Sequence, residues 1–142
     1  MHEALARSNF DRDVAHLTSR FLESRNWTIN ELQFPILDVT FLGSHPLRMR
    51  LSCDNWDELP PNEQILNVDG SPWVGPPTNP SIFNMPHSSR GNAFICTPGF
   101  RGYHTHSSHM SDHWANYRGK DGNNLPGLLD QLSRAWRKIK GF

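Results

Sequence analysis

The sequence predicts an α+β fold: an antiparallel sheet meander packed with an N-terminal and a C-terminal helix. Three observations lead there. Apolar residues recur at helical spacing near both ends of the chain. Between them they alternate at strand spacing. A long Gly- and Pro-rich stretch then separates the strands from the last helix. At 142 residues the chain reads as one domain, 1–142, large enough to bury a core without disulfides.

The elements follow in order. Phe10, Val14, Leu17, Phe21 and Leu22 predict an amphipathic helix over Asn9–Ser24. In "PILDVTFLG", Leu37, Val39 and Phe41 point one way and Asp38 and Thr40 the other. "GSHP" marks a turn. In "LRMRLSCD", Leu47, Met49, Leu51 and Cys53 alternate with Arg48, Arg50, Ser52 and Asp54, which puts Cys53 on the apolar face as a small buried hydrophobe. "EQILNV" predicts a third strand after "ELPPN". From Asp69 to Gly102 the chain is irregular. Trp73 and Phe83 argue for an ordered loop packed on the core, and "AFIC" for a short strand. Leu128, Leu129, Leu132, Ala135, Trp136 and Ile139 predict the final helix, with Pro126 in its first turn.

Charge excludes some roles. Fourteen basic and fourteen acidic residues balance to zero, which argues against nucleic-acid binding. The cluster Arg134, Arg137, Lys138 and Lys140 reads as a solvated helix face. No apolar run is long enough for a membrane span, and the first residues lack the apolar centre of a secretory signal. The expectation is a cytoplasmic protein with two free thiols and no membrane partner.

Chemistry concentrates in "FICTPGFRGYHTHSSHMSDHW", which holds Cys96 and four of the eight histidines: His104, His106, His109 and His113. Thr97-Pro98-Gly99 can continue neither a helix nor a central strand, so Cys96 falls at the end of an element, where a nucleophile is displayed. A cysteine nucleophile needs help to reach the thiolate, and a histidine supplies it.

Three motifs in order resemble ubiquitin-conjugating (E2) enzymes. "LRMRLSCDNWDELPPNEQIL" is similar to that family's strand, Tyr-Pro and Pro-Pro turn, and strand, with Trp56 in place of the tyrosine and Pro60–Pro61 as the proline pair. "MPHSSRGNAFIC" places His87, Gly91 and Ile95–Cys96 as the family's His-Pro-Asn flap and Ile-Cys pair are spaced. Trp114 and a helix follow. The resemblance is nearest to divergent bacterial E2-like proteins of ubiquitin-like conjugation operons, some linked to antiphage defence. It implies a UBC-like fold and a transferase. Cys96 would accept the C-terminus of a ubiquitin-like protein from an E1-like activating enzyme as a thioester, then pass it to an amine or thiol. A JAMM-type peptidase from the same operon is a further implied partner. No cofactor is required.

The resemblance also fixes what is missing. Ser88 and Ser89 follow His87, so the Asn that supports the family's loop and oxyanion is absent. Its role would fall to Asn92, Asn84, Ser89 or a backbone N–H. His87 would hold the flap, as the family's histidine does. His104, His106, His109 and Asp112 are within sequence reach of the proton-transfer role, and Cys96, His87, His104, His106 and Asp112 form the expected catalytic set.

Two alternatives stay open. If His104-x-His106 lies in a strand, both rings share a face, and His109 or His113 could complete a zinc site. That would make a zinc-stabilised module or a metallohydrolase. The JAMM pattern itself is not met: Ser111 and Asp112 follow too closely, the proline after that motif's second histidine is missing, and its catalytic glutamate has no clear upstream counterpart. The chain could also be a non-catalytic UBC-fold adaptor, for which the missing Asn is the argument.

Overall fold

The computed structural model describes residues 1–75 and 82–140. Its elements are helices α1 (Glu3–Val14) and α2 (Ser19–Arg25), strands β1 (Trp27–Gln33), β2 (Ile36–Phe41), β3 (Leu47–Ser52) and β4 (Asn62–Leu66), the short strands β5 (Phe83–Asn84) and β6 (Phe94–Ile95), helix α3 (Arg101–Thr105), a 3-10 turn (Trp114–Asn116) and helix α4 (Leu125–Lys140). The architecture is α+β. Strands β1 to β4 form one antiparallel meander in chain order, and β5 and β6 pair as a separate hairpin.

The predicted N-terminal helix is two helices. The chain turns at Ala15–Thr18, where Leu17 goes into the core and the Thr18 hydroxyl accepts the Phe21 N–H at 3.2 Å. Helix α2 ends on Asn26 at φ 59°, a left-handed cap that asparagine tolerates. Strand β1, which the sequence did not announce, pairs with β2 along the sheet edge. A register slip between Ile29 and Glu31 breaks its alternation, and Trp27 is its one buried residue.

The other strands follow their pattern. Leu37 pairs with Leu51, Val39 with Met49 and Phe41 with Leu47, all buried on one face. Strand β4 stops at Leu66, two residues short of the expected run. There a turn forms, with Asn67 N–H donating to the Ser71 carbonyl at 2.8 Å and Ser71 N–H to Asp69 Oδ1 at 2.9 Å. Helix α4 covers the apolar face with Leu125, Leu128, Leu129, Leu132 and Trp136. Phe83 packs edge-on against Trp136 at 5.1 Å, and Trp73 approaches the same ring at 6.4 Å, so both aromatics of the irregular stretch meet the core. Residues 76–81 of that stretch, and the Lys140 side chain of the basic cluster, lie outside the described residues.

Buried carboxylates tie the layers together. On the outer sheet face Asp38 is fully buried and accepts from Arg48 at 2.9 and 2.8 Å, Arg50 at 3.0 Å and Asn30 at 3.1 Å. Burial alone would raise its pKa, but bonds from Arg48, Asn30 and Arg50 outweigh it and hold the carboxyl below its usual range. Asp13 of α1 accepts the Trp56 Nε1–H at 2.9 Å and the Leu125 N–H at 3.0 Å, joining α1, the β3–β4 connection and the start of α4.

The third, Glu63, sits on the core face of β4 opposite Leu51 and has no exposed surface. Its carboxylate accepts the Ile95 N–H at 2.9 Å, the Gly102 N–H at 3.1 Å and an Arg90 N–H at 3.3 Å. Arg90 donates again to the Glu63 carbonyl at 2.9 Å. Gly102 is required here: a methyl in its place would collide with Glu63 Oε2 and come within 2.9 Å of Phe94 Cβ.

Glu63→Ala should therefore cost about 3–5 kcal/mol in chemical denaturation, since it leaves two buried N–H donors and a guanidinium without their acceptor. Gly102→Ala should cost about 1–3 kcal/mol through overpacking.

Candidate functional site

The β5–β6 hairpin sets the position of Cys96. Phe83 pairs with Ile95 and Asn84 with Phe94, and the Cys96 N–H donates to the Ile82 carbonyl at 2.6 Å. Regular pairing stops there because Pro98 and Gly99 follow. Cys96 is partly exposed at the open end of the hairpin, while Cys53 is buried just beyond β3. Both are free thiols. Burial pushes the Cys96 thiol above its ordinary pKa, and pushes that of Cys53 much further up.

Downstream, the chain folds back on itself. The Pro60 and Pro61 carbonyls hold Arg101 at the start of α3: Pro61 accepts its N–H at 2.9 Å, and Pro60 its guanidinium at 3.0 and 3.2 Å. The proline pair thus anchors the segment after the cysteine. Beyond α3 a series of turns returns to Sγ, with His109 Nε2 at 3.5 Å. The His109 ring stacks on Tyr103, with centroids 4.2 Å apart and planes 15° from parallel.

His104 locks this loop. Its Nδ1–H donates to the Asp112 carbonyl at 2.8 Å, and its Nε2 accepts the Gly99 N–H at 3.0 Å. Both nitrogens are committed in the neutral tautomer. Burial lowers its pKa, more than the Asp112 carbonyl raises it. Asp112 is turned toward phenols: Tyr103 donates to its Oδ2 at 2.6 Å and Tyr117 at 2.7 Å. Those two bonds hold the carboxyl below its usual range, while Asp112 pushes Tyr103 up to about 12.

The expected site residues therefore divide into groups. His87 is buried. Its Nε2–H donates to the Gly102 carbonyl at 2.8 Å, and its Nδ1 accepts the Ser89 and Arg90 N–H groups at 3.1 Å each. This is a structural histidine at the hairpin tip. Asn92 sits with it, accepting the His87 N–H on its carbonyl and Arg90 Nε on its side chain. Asn84 lies in β5 and accepts the Met85 N–H. The supports proposed for the oxyanion, Asn92, Asn84 and Ser89, thus belong to the hairpin and its tip, while the thiol sits at the other end. His106 stacks on Phe94 at 5.2 Å and bonds Ser108. His113 is exposed and opens the 3-10 turn.

The strand geometry behind the zinc alternative is corrected. His104 lies in helix α3 and His106 at its end, so their rings diverge, one toward Trp114 and Tyr117 and the other toward Phe94 and His87. Among the described residues no group of three or more His, Cys, Asp or Glu is arranged to hold a metal ion. No described helix is long and apolar enough to cross a membrane. No protein-family model matches the chain, and no curated protein matches it.

Two outcomes follow. Iodoacetamide should label Cys96 slowly at neutral pH and faster as the pH rises past the ordinary thiol range, while Cys53 stays unlabelled until the chain unfolds; peptide mass spectrometry reads both. Acidification should also destabilise the protein. A lowered histidine pKa contributes stability that is full above about pH 6.5 and is lost as the pH falls below it. The melting temperature should drop between roughly pH 7 and pH 5, and drop less in His104→Gln.

Proposed function

We propose that the chain is an E2-like conjugating enzyme of the UBC fold that carries a ubiquitin-like protein as a thioester on Cys96. One observation carries the reading: a partly exposed thiol at the end of a short hairpin, after a four-stranded meander whose Pro60–Pro61 turn anchors the segment beyond the cysteine. That order of parts is the one the resemblance implies. An E1-like enzyme and a ubiquitin-like protein are the proposed partners, with a JAMM-type peptidase acting on the products.

The chemistry suits a carrier. In the first step Sγ attacks the carbonyl carbon of the incoming thioester, the donor's C–S bond breaks, and the Cys96 proton ends on the departing sulfur. In the second, an amine or thiol attacks the Cys96 thioester and Sγ leaves with the bonding pair. A thiol of raised pKa is a poorer leaving group, so the charged intermediate resists water until a good nucleophile is placed against it. Burial around Cys96 works in that direction. His87 supports the reading as a flap residue, since its ring fixes the hairpin tip through three hydrogen bonds.

The test is direct. The chain is incubated with ATP and with the E1-like and ubiquitin-like proteins proposed as its partners, then run on non-reducing gels. A thiol-sensitive adduct should form and be lost in Cys96→Ala. The same adduct in that variant would sink the assignment. Charging of Cys96 from a synthetic peptide thioester, which needs no magnesium–ATP, should be unaffected by chelators, and chelator-sensitive charging there would instead favour a metal at the histidines.

A further inference from the structure

We propose that His109 is the catalytic proton acceptor at Cys96, and that Tyr103 is its positioning residue. This rests on the carrier reading above and names how its acyl transfer to a primary amine is completed in a chain without the family's Asn.

The geometry singles out His109 among the four histidines that follow the cysteine. Its Nε2 lies 3.5 Å from Sγ. His104 is nearer in sequence, but the Gly99 N–H and the Asp112 carbonyl occupy both its nitrogens. His106 is turned onto Phe94, and His113 is exposed at the far end of the loop.

The Tyr103 stack makes this arrangement usable. Stacking occupies the face of the imidazole and leaves its edge, where the nitrogens are, open to hydrogen bonding. Tyr103 is itself fixed, since its phenol donates to Asp112 Oδ2 at 2.6 Å. Backbone bonds pin the turn on both sides, with His109 N–H donating to the His106 carbonyl and Asp112 N–H to the His109 carbonyl, each at 3.0 Å. The imidazole is thereby held at the sulfur by parts that do not themselves react. Among the described residues the titratable groups facing it are Cys96, Tyr103, His104 and, with ring centroids 5.8 Å away, His106, and the Asp112 carboxylate bonds the stacked Tyr103 phenol.

The transfer then balances. A neutral amine attacks the carbonyl carbon of the Cys96 thioester. The C–N bond forms, the C–S bond breaks, and the bonding pair goes to Sγ. The proton released by the amine nitrogen passes to His109 Nε2 and from there to Sγ, which restores the thiol and the neutral ring. No oxidant or further reactant is consumed.

A small probe isolates the step. Cys96 is charged with a Gly-Gly peptide as its mercaptoethanesulfonate thioester, the acyl-enzyme is purified, and discharge to free lysine is followed by intact mass across pH. His109→Gln should still charge to completion but discharge about 10²-fold more slowly at neutral pH. It should also lose the pH inflection that a general base imposes on discharge. Added imidazole should restore discharge in His109→Gly, which a damaged fold would not allow. Tyr103→Leu, which removes the stack, should slow discharge and keep the inflection, while Tyr103→Phe, which keeps the ring but loses the bond to Asp112, should slow it less. Normal charging with an unchanged rate and pH profile in His109→Gln, or a loss that imidazole does not restore, overturns the proton role and leaves the carrier reading standing. A parent chain that never acylates at Cys96 overturns both.

Discussion

The site depends on one carboxylate. Glu63 lies on the core face of the sheet, where the strand pattern calls for an apolar side chain, and receives N–H groups from β6 and α3 as well as Arg90. A buried charge is expensive unless its lone pairs are satisfied and a counter-charge is near. Here three donors converge on it from segments 27 to 39 residues away in sequence. Two of them flank the functional segment: Ile95 precedes the cysteine, and Gly102 lies in the helix after it. The energetic demand of one buried group thus becomes the rule that fixes where the Cys96 loop starts and returns.

From that anchor, the loop is assembled by histidines with separate duties. His87 braces the hairpin tip, His104 closes the turn across Gly99 and Asp112, and His106 covers Phe94. These roles use the imidazole as a compact donor and acceptor pair rather than as an acid or base. His109 differs because its bond is to a reactive atom. A histidine-rich stretch therefore need not be a metal site. Such residues pack as flat rings and satisfy backbone groups that a Gly- and Pro-rich segment leaves without ladder partners.

Much of the frame was legible in the sequence. Strand β3 alternates cleanly because one face is buried, and helix α4 shows its apolar stripe for the same reason; β2 alternates although both its faces are covered, because Asp38 and Thr40 meet polar partners on the outer one. Strand β1 was not legible: it is an edge strand with one buried residue and a register slip, so it buries too little to leave a periodic trace. The break between α1 and α2 was hidden because Leu17 keeps helical spacing while sitting in the turn. At the site, Thr-Pro-Gly correctly placed Cys96 at the end of an element. Which histidine meets the thiol could not be read, because spacing alone does not say that the loop folds back. Glu63 was missed for a related reason, as its partners are backbone N–H groups, which any residue supplies.

The burial around Cys96 also bears on its oxidation. Peroxides attack the thiolate far faster than the thiol, so a cysteine kept protonated climbs slowly through the sulfenic and sulfinic stages. Cys53, sealed beneath the sheet, is too deeply enclosed to act as a resolving partner, so a sulfenic acid formed at Cys96 would have no internal disulfide to rescue it. The burial that raises the Cys96 thiol therefore also slows its irreversible oxidation.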